Sequence, residues 1–159
     1  MPLVPKANPT AILLKGDPPR KEGLAAGAIR AGDLIEINAP VAGEEGMHDV
    51  DVHGVADTNA LPAFAMPNPW LEGTPPAGST FVSYASGDTV MYVVCQPGDE
   101  VFAWISDGEV IAAGDALVSG GTGALDAAAA GTDPDKIVGY AREAISPSGA
   151  DELARIEVA

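Results

Sequence analysis

Residues 84–120 read YASGDTVMYVVCQPGDEVFAWISDGEVIAAGDALVSG, and this stretch decides the fold class. Three Gly-Asp pairs, at 87–88, 98–99 and 114–115, and an Asp-Gly pair at 107–108 divide it into short apolar runs. Glycine supplies the positive φ that tight turns need, and an aspartate side chain accepts hydrogen bonds from nearby backbone. The pattern is typical of strands that follow one another through tight turns, and it predicts a mainly β protein.

The runs between these turns predict strands near residues 80–84, 89–95, 101–105 and 109–112. The second and third runs are apolar on both faces, so both faces must be covered. The 107–108 pair predicts a two-residue type I′ hairpin, residues 154–158 a strand that closes the sheet, and residues 125–130 a single helical turn. We therefore expect a compact antiparallel β-barrel or sandwich-like body with few or no long helices. An interface between copies would cover the apolar faces equally well.

Residues 1–28 predict an extended N-terminal arm before a single β-rich domain at 29–159. Five prolines in this segment disfavour helix and remove donors from any sheet. The apolar run at 11–14 predicts a short strand, which would lie on the body or on a neighbouring molecule, whereas a frayed terminus is the simpler alternative. If the arm grips a partner, its candidate contact residues are Ile12, Leu13, Leu14, Lys15, Arg20 and Lys21.

A second irregular segment is predicted at residues 59–80, where five more prolines exclude helix interiors and central strands. Long loops in compact domains are usually functional or disordered, and disordered segments are seldom this apolar. The loop therefore folds over the end of a barrel or faces a partner. Its candidate contact residues are Phe64, Met66, Trp70 and Leu71.

The charge of the chain is unevenly distributed. Up to Arg30 the net charge is +3, and from Ala31 onward it is −18, which together give −15. Such an acidic body would repel phosphate backbones, which argues against binding to nucleic acid. The acidity would serve solubility, a basic partner or adaptation to high salt, and the abundance of Asp with little Lys favours a halophilic source. The longest apolar run is too short to cross a membrane, so we expect no membrane association and no targeting segment.

Two stretches of the sequence repeat one another. The octapeptides at 28–35 (AIRAGDLI) and 110–117 (VIAAGDAL) share four identical positions, and each is followed by a Gly-x-Ala step, at 54–56 and 139–141. These similarities indicate an internal duplication of a β unit. Two unrelated loops with common turn chemistry are the alternative.

Catalytic signatures are absent from the sequence. The two histidines lie in one short segment and no nucleophile motif accompanies them, so we predict no enzyme activity and no cofactor. Cys95 lies in an apolar run and is expected to be a buried hydrophobe. In a strand at 48–53, Asp49, Asp51 and His53 would share a face and could bind a divalent cation, although a solvated strand face needs the same residues.

Several motifs in a fixed order resemble those of the small capsid decoration, or cement, proteins of tailed viruses that infect bacteria or haloarchaea. The motifs are YASGDTV (84–90), QPGDEV (96–101), GEVIAAGDAL (108–117), IVGYAREA (137–144) and a closing RIEV (155–158). The resemblance covers residues 23–159. It implies a β-rich homotrimer on the outer surface of the virion capsid, bound to the major capsid protein and stabilising the head. No catalytic residues accompany such a family.

The Pro-rich loop at 59–80 is longer than we expect for a protein of this family. A competing resemblance also exists, because the pattern I-x-A-G-D-x-L followed by Gly-x-Ala resembles β-clip modules, which implies a small-molecule or carbohydrate binding module.

Overall fold

The computed structural model describes residues 9–43 and 46–159, and in these residues it is almost entirely β-structure. One short 3-10 turn, Pro134–Lys136, is the helical element of the described chain. This confirms the predicted mainly β class. In chain order the strands are β1 (Leu13–Lys15), β2 (Arg20–Ala25), β3 (Ile35–Pro40), β4 (His48–Val52), β5 (Ala63–Ala65), β6 (Thr89–Val94), β7 (Glu100–Ile105), β8 (Ala116–Ser119), β9 (Leu125–Ala127), β10 (Gly139–Ala141) and β11 (Glu152–Val158).

One sheet closes into a five-stranded barrel. Its strand order is β1-β7-β11-β10-β8-β9, and β9 returns to pair with β7 through Leu125 and Ile105. The strand β11 pairs with β7 over six residues, from Glu152 to Glu157, which confirms the predicted C-terminal strand. It lies within the sheet, between β7 and β10, and the sheet is closed by β9 instead. Closure pairs the strand edges that an open sheet would leave exposed. The strand β1 lies outside the ring, as an edge strand on β7.

The other sheet, in the order β3-β4-β2-β6-β5, curls into a half-barrel. Its inner face is apolar and includes Ile35, Val50, Val90 and Tyr92. On the opposite face of β6, Val93 packs into the core shared with the closed barrel. The predicted cover on both faces of this strand is therefore supplied by the chain itself.

Four of the five Gly-Asp pairs in the sequence, all except 16–17, form turns of one kind, at 30–33, 85–88, 96–99 and 112–115. In each, the N–H of the aspartate donates to the carbonyl three residues earlier, at 3.0–3.2 Å. The aspartate carboxylate in return accepts from the N–H of that first residue, at 2.7–2.8 Å. The glycines have φ between 89° and 95°, as the third residue of a type II turn requires.

Each turn also holds one residue of a neighbouring strand. The glycine N–H donates to that residue's carbonyl, and that residue's N–H donates to the aspartate carbonyl, all at 2.7–3.0 Å. The strands β3, β6, β7 and β8 follow directly after the four turns. Each turn therefore fixes the register of a strand as it begins. The four residues held in this way, in the order of the turns, are Ala65, Ala25, Val158 and Ala141.

The hydrogen bonds around the first and fourth turns support the duplication. Ile29 exchanges two backbone hydrogen bonds with Tyr84, and Ile111 exchanges the same two with Ile145. The predicted match between the two Gly-x-Ala steps is wrong, however. Ala141 corresponds to Ala65 in β5, because these are the residues that the two turns hold, whereas residues 54–56 lie outside any strand.

Several local predictions are wrong. The strands predicted near 80–84 and 109–112 are reduced to isolated bridges, at Tyr84 and Ile111. The 107–108 pair does not form a type I′ turn, because that turn needs positive φ at both residues and only Gly108 has it. The chain that follows does not pair with β7, since Ile111 pairs with Ile145 instead. Leu125 begins strand β9 and not a helical turn. The Pro-rich segment contains β5, an edge strand flanked by Pro62 and Pro67, because an edge strand tolerates the proline that a central strand excludes.

The segment predicted as an arm contributes strands to both sheets. Its β1 adds to β7, and its β2 lies between β4 and β6 in the half-barrel. Ile12 is buried beside Trp104 in the chain's own core. The short strand predicted at 11–14 is thus present as β1, and it lies on the body.

A charged cluster joins the two sheets. Arg30, in the first turn, pairs with Asp33 at 2.9 Å and with Asp151, just before β11, at 2.9 Å. Its guanidinium lies 4.3 Å from the centre of the Trp104 ring, whose N–H donates to the Ala31 carbonyl. Burial raises the pKa of Asp33, and the positive charge of Arg30 opposes that rise. Arg30 therefore compensates a carboxylate buried between the sheets.

Replacing Asp115 by alanine should lower the free energy of unfolding by about 1 kcal/mol, because the Ala112 N–H loses its acceptor. Asp115→Asn keeps an acceptor oxygen and serves as the control, with a smaller loss. Chemical denaturation of the three proteins measures the difference, and equal losses in Ala and Asn would contradict the role given to the carboxylate.

Replacing Arg30 by alanine should cost about 3 kcal/mol, since it leaves Asp33 buried without its counter-charge. A double-mutant cycle with Asp33→Ala tests the coupling. We expect the double variant to be more stable than the sum of the single losses predicts, and strict additivity would refute the coupling.

Cys95 should resist thiol reagents in the folded protein, because it is buried and its pKa is raised by burial to about 12. The unfolded thiol ionises near pH ~8.5. Between these values only the unfolded state releases the proton, so stability should fall as pH rises above about 8.5. Labelling at pH 8 with and without denaturant checks the prediction, and rapid labelling of the native protein would contradict it.

Candidate functional site

The candidate metal ligands of the histidine segment do not gather into a metal-binding group. In the part of the chain that the structure describes, no three His, Cys, Asp or Glu side chains come together to hold a metal ion. Asp51 accepts from the N–H of Val52 at 2.8 Å, and His53 is buried, with its Nδ1 2.7 Å from the Ser119 hydroxyl. Ser119 is only 1% exposed and also accepts from the Gly121 N–H, so this Ser-His contact joins a strand to a loop in the interior. The strand predicted at 48–53 is confirmed as β4, and Asp49 lies on it.

A groove of about 900 Å³ lies at the mouth of the half-barrel. The register of the strand pairings determines which residues face the groove. Lys21 on β2 lies directly opposite Tyr92 on β6, and Ile37 on β3 lies opposite Val50, so these side chains share the inner face of the curled sheet. The lining consists of Arg20, Lys21, Glu22, Ile37, Gly46, Met47, His48, Met66, Pro67, Met91 and Tyr92.

The groove combines an apolar surface with cations. Met47, Met66 and Met91 are half-buried and line the groove together with Tyr92, whose pKa is raised by burial. Arg20 and Lys21 are exposed, and neither forms an ion pair with another described residue. An apolar concave site with a few charged groups is the usual form of a ligand or partner site. This groove therefore suits an apolar group that carries a negative charge.

A loop with an exposed aromatic side chain leads away from the groove. The Asn68 side chain accepts from the Trp70 N–H at 3.0 Å, and the Asn68 carbonyl accepts from Leu71 at 3.3 Å. Leu71 packs against the apolar core of the half-barrel, while Trp70 is 87% exposed. The loop thus presents a fixed tryptophan to solvent.

The ten predicted contact residues separate into four groups. Arg20, Lys21 and Met66 come together in the groove, and Trp70 and Leu71 lie in the adjoining loop. Leu13, Leu14 and Lys15 lie on the edge strand β1, where Leu14 is 40% exposed. Ile12 and Phe64 are buried in the chain's own core, so their side chains are not available at the surface.

The sequence did not single out Met47, Met91 or Tyr92 as site residues. Each lies in or beside a strand, and only the pairing of β2 with β6 and β4 brings them to one groove. One indication was present in the sequence. Residues 89–95 are apolar on both faces, which predicted that the side chain of Tyr92 is covered.

In the described residues, no helix has the length and apolarity needed to cross a bilayer.

Comparison with known proteins finds no matching family model and no matching curated sequence. Among solved structures, the chain is similar to the N base of the head fiber gp8.5 of bacteriophage phi29, with a TM-score of 0.56 and 16% sequence identity. The match covers 88% of this chain and 92% of that chain. At this identity the likeness establishes a shared fold over nearly the whole length of both chains.

Proposed function

We propose that this chain is a structural protein of a tailed-virus virion. The observation that carries the proposal is the fold shared with a phage head fiber base, which extends over 88% of the chain. The ordered Gly-Asp motifs of the sequence resemble head decoration proteins, and this resemblance, reached from the residues, agrees with the structural one.

More specifically, we propose that it is a decoration, or cement, protein that binds the major capsid protein on the outer surface of the head as a homotrimer. The closed barrel is joined to the half-barrel through a partly buried charged cluster, an arrangement that suits a clamp. The exposed Leu14 and Lys15 on edge strand β1 and the exposed Trp70 offer contacts to neighbouring subunits. The role needs no cofactor and no catalysis.

The net charge of −15 also supports a surface position on a virion. Like charges keep free copies soluble and apart from nucleic acid, and salt screens their repulsion once they assemble. The excess of carboxylates over lysines suits a virus of a salt-loving host.

A second candidate is a small-molecule or carbohydrate binding module of the β-clip type. The groove of about 900 Å³ favours it, because Arg20, Lys21 and His48 converge around the apolar lining. Titration of the purified chain with a glycan and metabolite panel distinguishes the two. Saturable binding that Lys21→Ala removes would favour the module.

The decoration role predicts binding to expanded heads assembled from the major capsid protein of the same genome, and self-association to about 48 kDa from chains of 16.0 kDa. Lys15→Glu on the exposed edge strand should weaken head binding, because it reverses the charge of a predicted contact residue. Lys136→Glu, on the 3-10 turn, is the charge-matched control. Co-sedimentation with heads and light scattering are the measurements. A chain that stays monomeric and never binds heads would overturn the role.

A further inference from the structure

The groove at the mouth of the half-barrel is suited to a large, flat apolar side chain. Three half-buried methionines, Met47, Met66 and Met91, border it together with Tyr92. Methionine is flexible and polarizable, so it adapts to an inserted group and makes favourable contacts between its sulfur and aromatic rings. A volume of about 900 Å³ is ample for an indole.

The charge of the groove limits what can occupy it. Arg20 and Lys21 stand at its edge, and among the described residues neither has an acidic partner. They are two of only eight cations in a chain with 23 acids. Glu22 also lines the groove, so its two cations and one carboxylate leave one net positive charge. An occupant that carries a carboxylate beside its apolar group would complement that charge.

The chain itself contains a segment with this chemistry. Trp70 is the most exposed large hydrophobic side chain of the described residues, at 87%, and Glu72, two residues later, is also exposed. The Asn68 turn and the packing of Leu71 hold the segment in place. A side chain presented in this way loses little entropy on binding, and buried tryptophans are frequent hot spots of interfaces.

The segment does not fill its own groove. Met66 and Pro67 line the groove, but Leu71 fixes the following loop to the half-barrel core and leaves Trp70 in solvent. Each copy therefore carries an exposed tryptophan and, beside it on the surface, a groove that the tryptophan of another copy could fill. Contacts of this head-to-tail kind generate closed rings when the rotation between copies closes.

We propose that Trp70 of one copy inserts into the methionine-lined groove of the next, where Glu72 pairs with Arg20 and Lys21. The inference rests on the proposed self-association and identifies the surface that produces it. The occupant of the groove is a second copy of this chain.

Trp70→Ala tests the apolar half of the contact. Because Trp70 is exposed, the variant should unfold at the same temperature as the wild type while its dissociation constant for self-association rises at least about 30-fold, as loss of a hot spot worth about 2 kcal/mol implies. Val110→Ala, at a hydrophobic residue that is 79% exposed elsewhere, is the control and should leave assembly unchanged. Sedimentation equilibrium gives the constants, and an unaltered constant in Trp70→Ala would overturn the inference.

A charge exchange tests the polar half. Lys21→Glu and Glu72→Lys should each weaken association, and the double variant should recover at least part of it because the pair is re-formed with reversed signs. Failure of the double variant to recover any association refutes the pairing of Glu72 with Lys21.

This inference rests on the decoration role, and measuring head binding beside self-association shows which of the two fails. If Trp70→Ala still forms the wild-type oligomer and binds heads, the inference fails and the decoration role stands. If the wild type is monomeric in solution and Trp70→Ala loses head binding, Trp70 docks on capsid protein, which again overturns the inference and supports the role. If the wild type neither self-associates nor binds heads, both fail.

Discussion

The carboxylate that closes each Gly-Asp turn is the interaction on which the sheets depend. At all four sites it accepts the N–H of the residue three positions earlier, and the turn then holds a single residue of a neighbouring strand through two backbone hydrogen bonds. A slip of one residue would move every apolar side chain of the following strand to the wrong face. Each turn therefore helps to fix the register of the strand that follows it.

Two of these turns also explain how a chain of short strands forms one body. The turn at Asp33 belongs to the half-barrel, yet Arg30 within it reaches Asp151 and the ring of Trp104 in the closed barrel. The equivalent turn at Asp115 lacks such an arginine, because Ala112 occupies that position. Of the two similar stretches, only the first therefore carries an arginine at this position, and that arginine connects the half-barrel to the closed barrel.

The sequence patterns predicted what is local and missed what depends on distant pairing. Gly-Asp spacing and two-sided apolar runs predicted the β class, the strands at 89–94 and 100–105 and the C-terminal strand, because these follow from turn chemistry and alternation. Strand β5 was not predicted, because its three residues lie between prolines. They form a strand only because they pair with β6 and with the first turn. The 107–108 hairpin failed because Ile111 finds its partner 34 residues later, at Ile145. For the candidate site, the basic residues and exposed Trp70 were visible in the sequence, but the groove depends on register and was not.

The distribution of charge also limits how copies of this chain can approach one another. A body with a net charge of −18 beyond Arg30 resists contact with its own copies wherever two acidic surfaces meet. Arg20 and Lys21 form an exposed basic pair in the groove, beside an apolar lining. At an ionic strength of 0.15 M the repulsion between exposed charges is screened beyond about 8 Å, whereas attraction at direct contact survives. A chain built in this way discriminates between orientations of approach, because the exposed cations of the groove favour an acidic neighbour whereas most of the acidic surface repels one. This selectivity favours one defined contact over random aggregation.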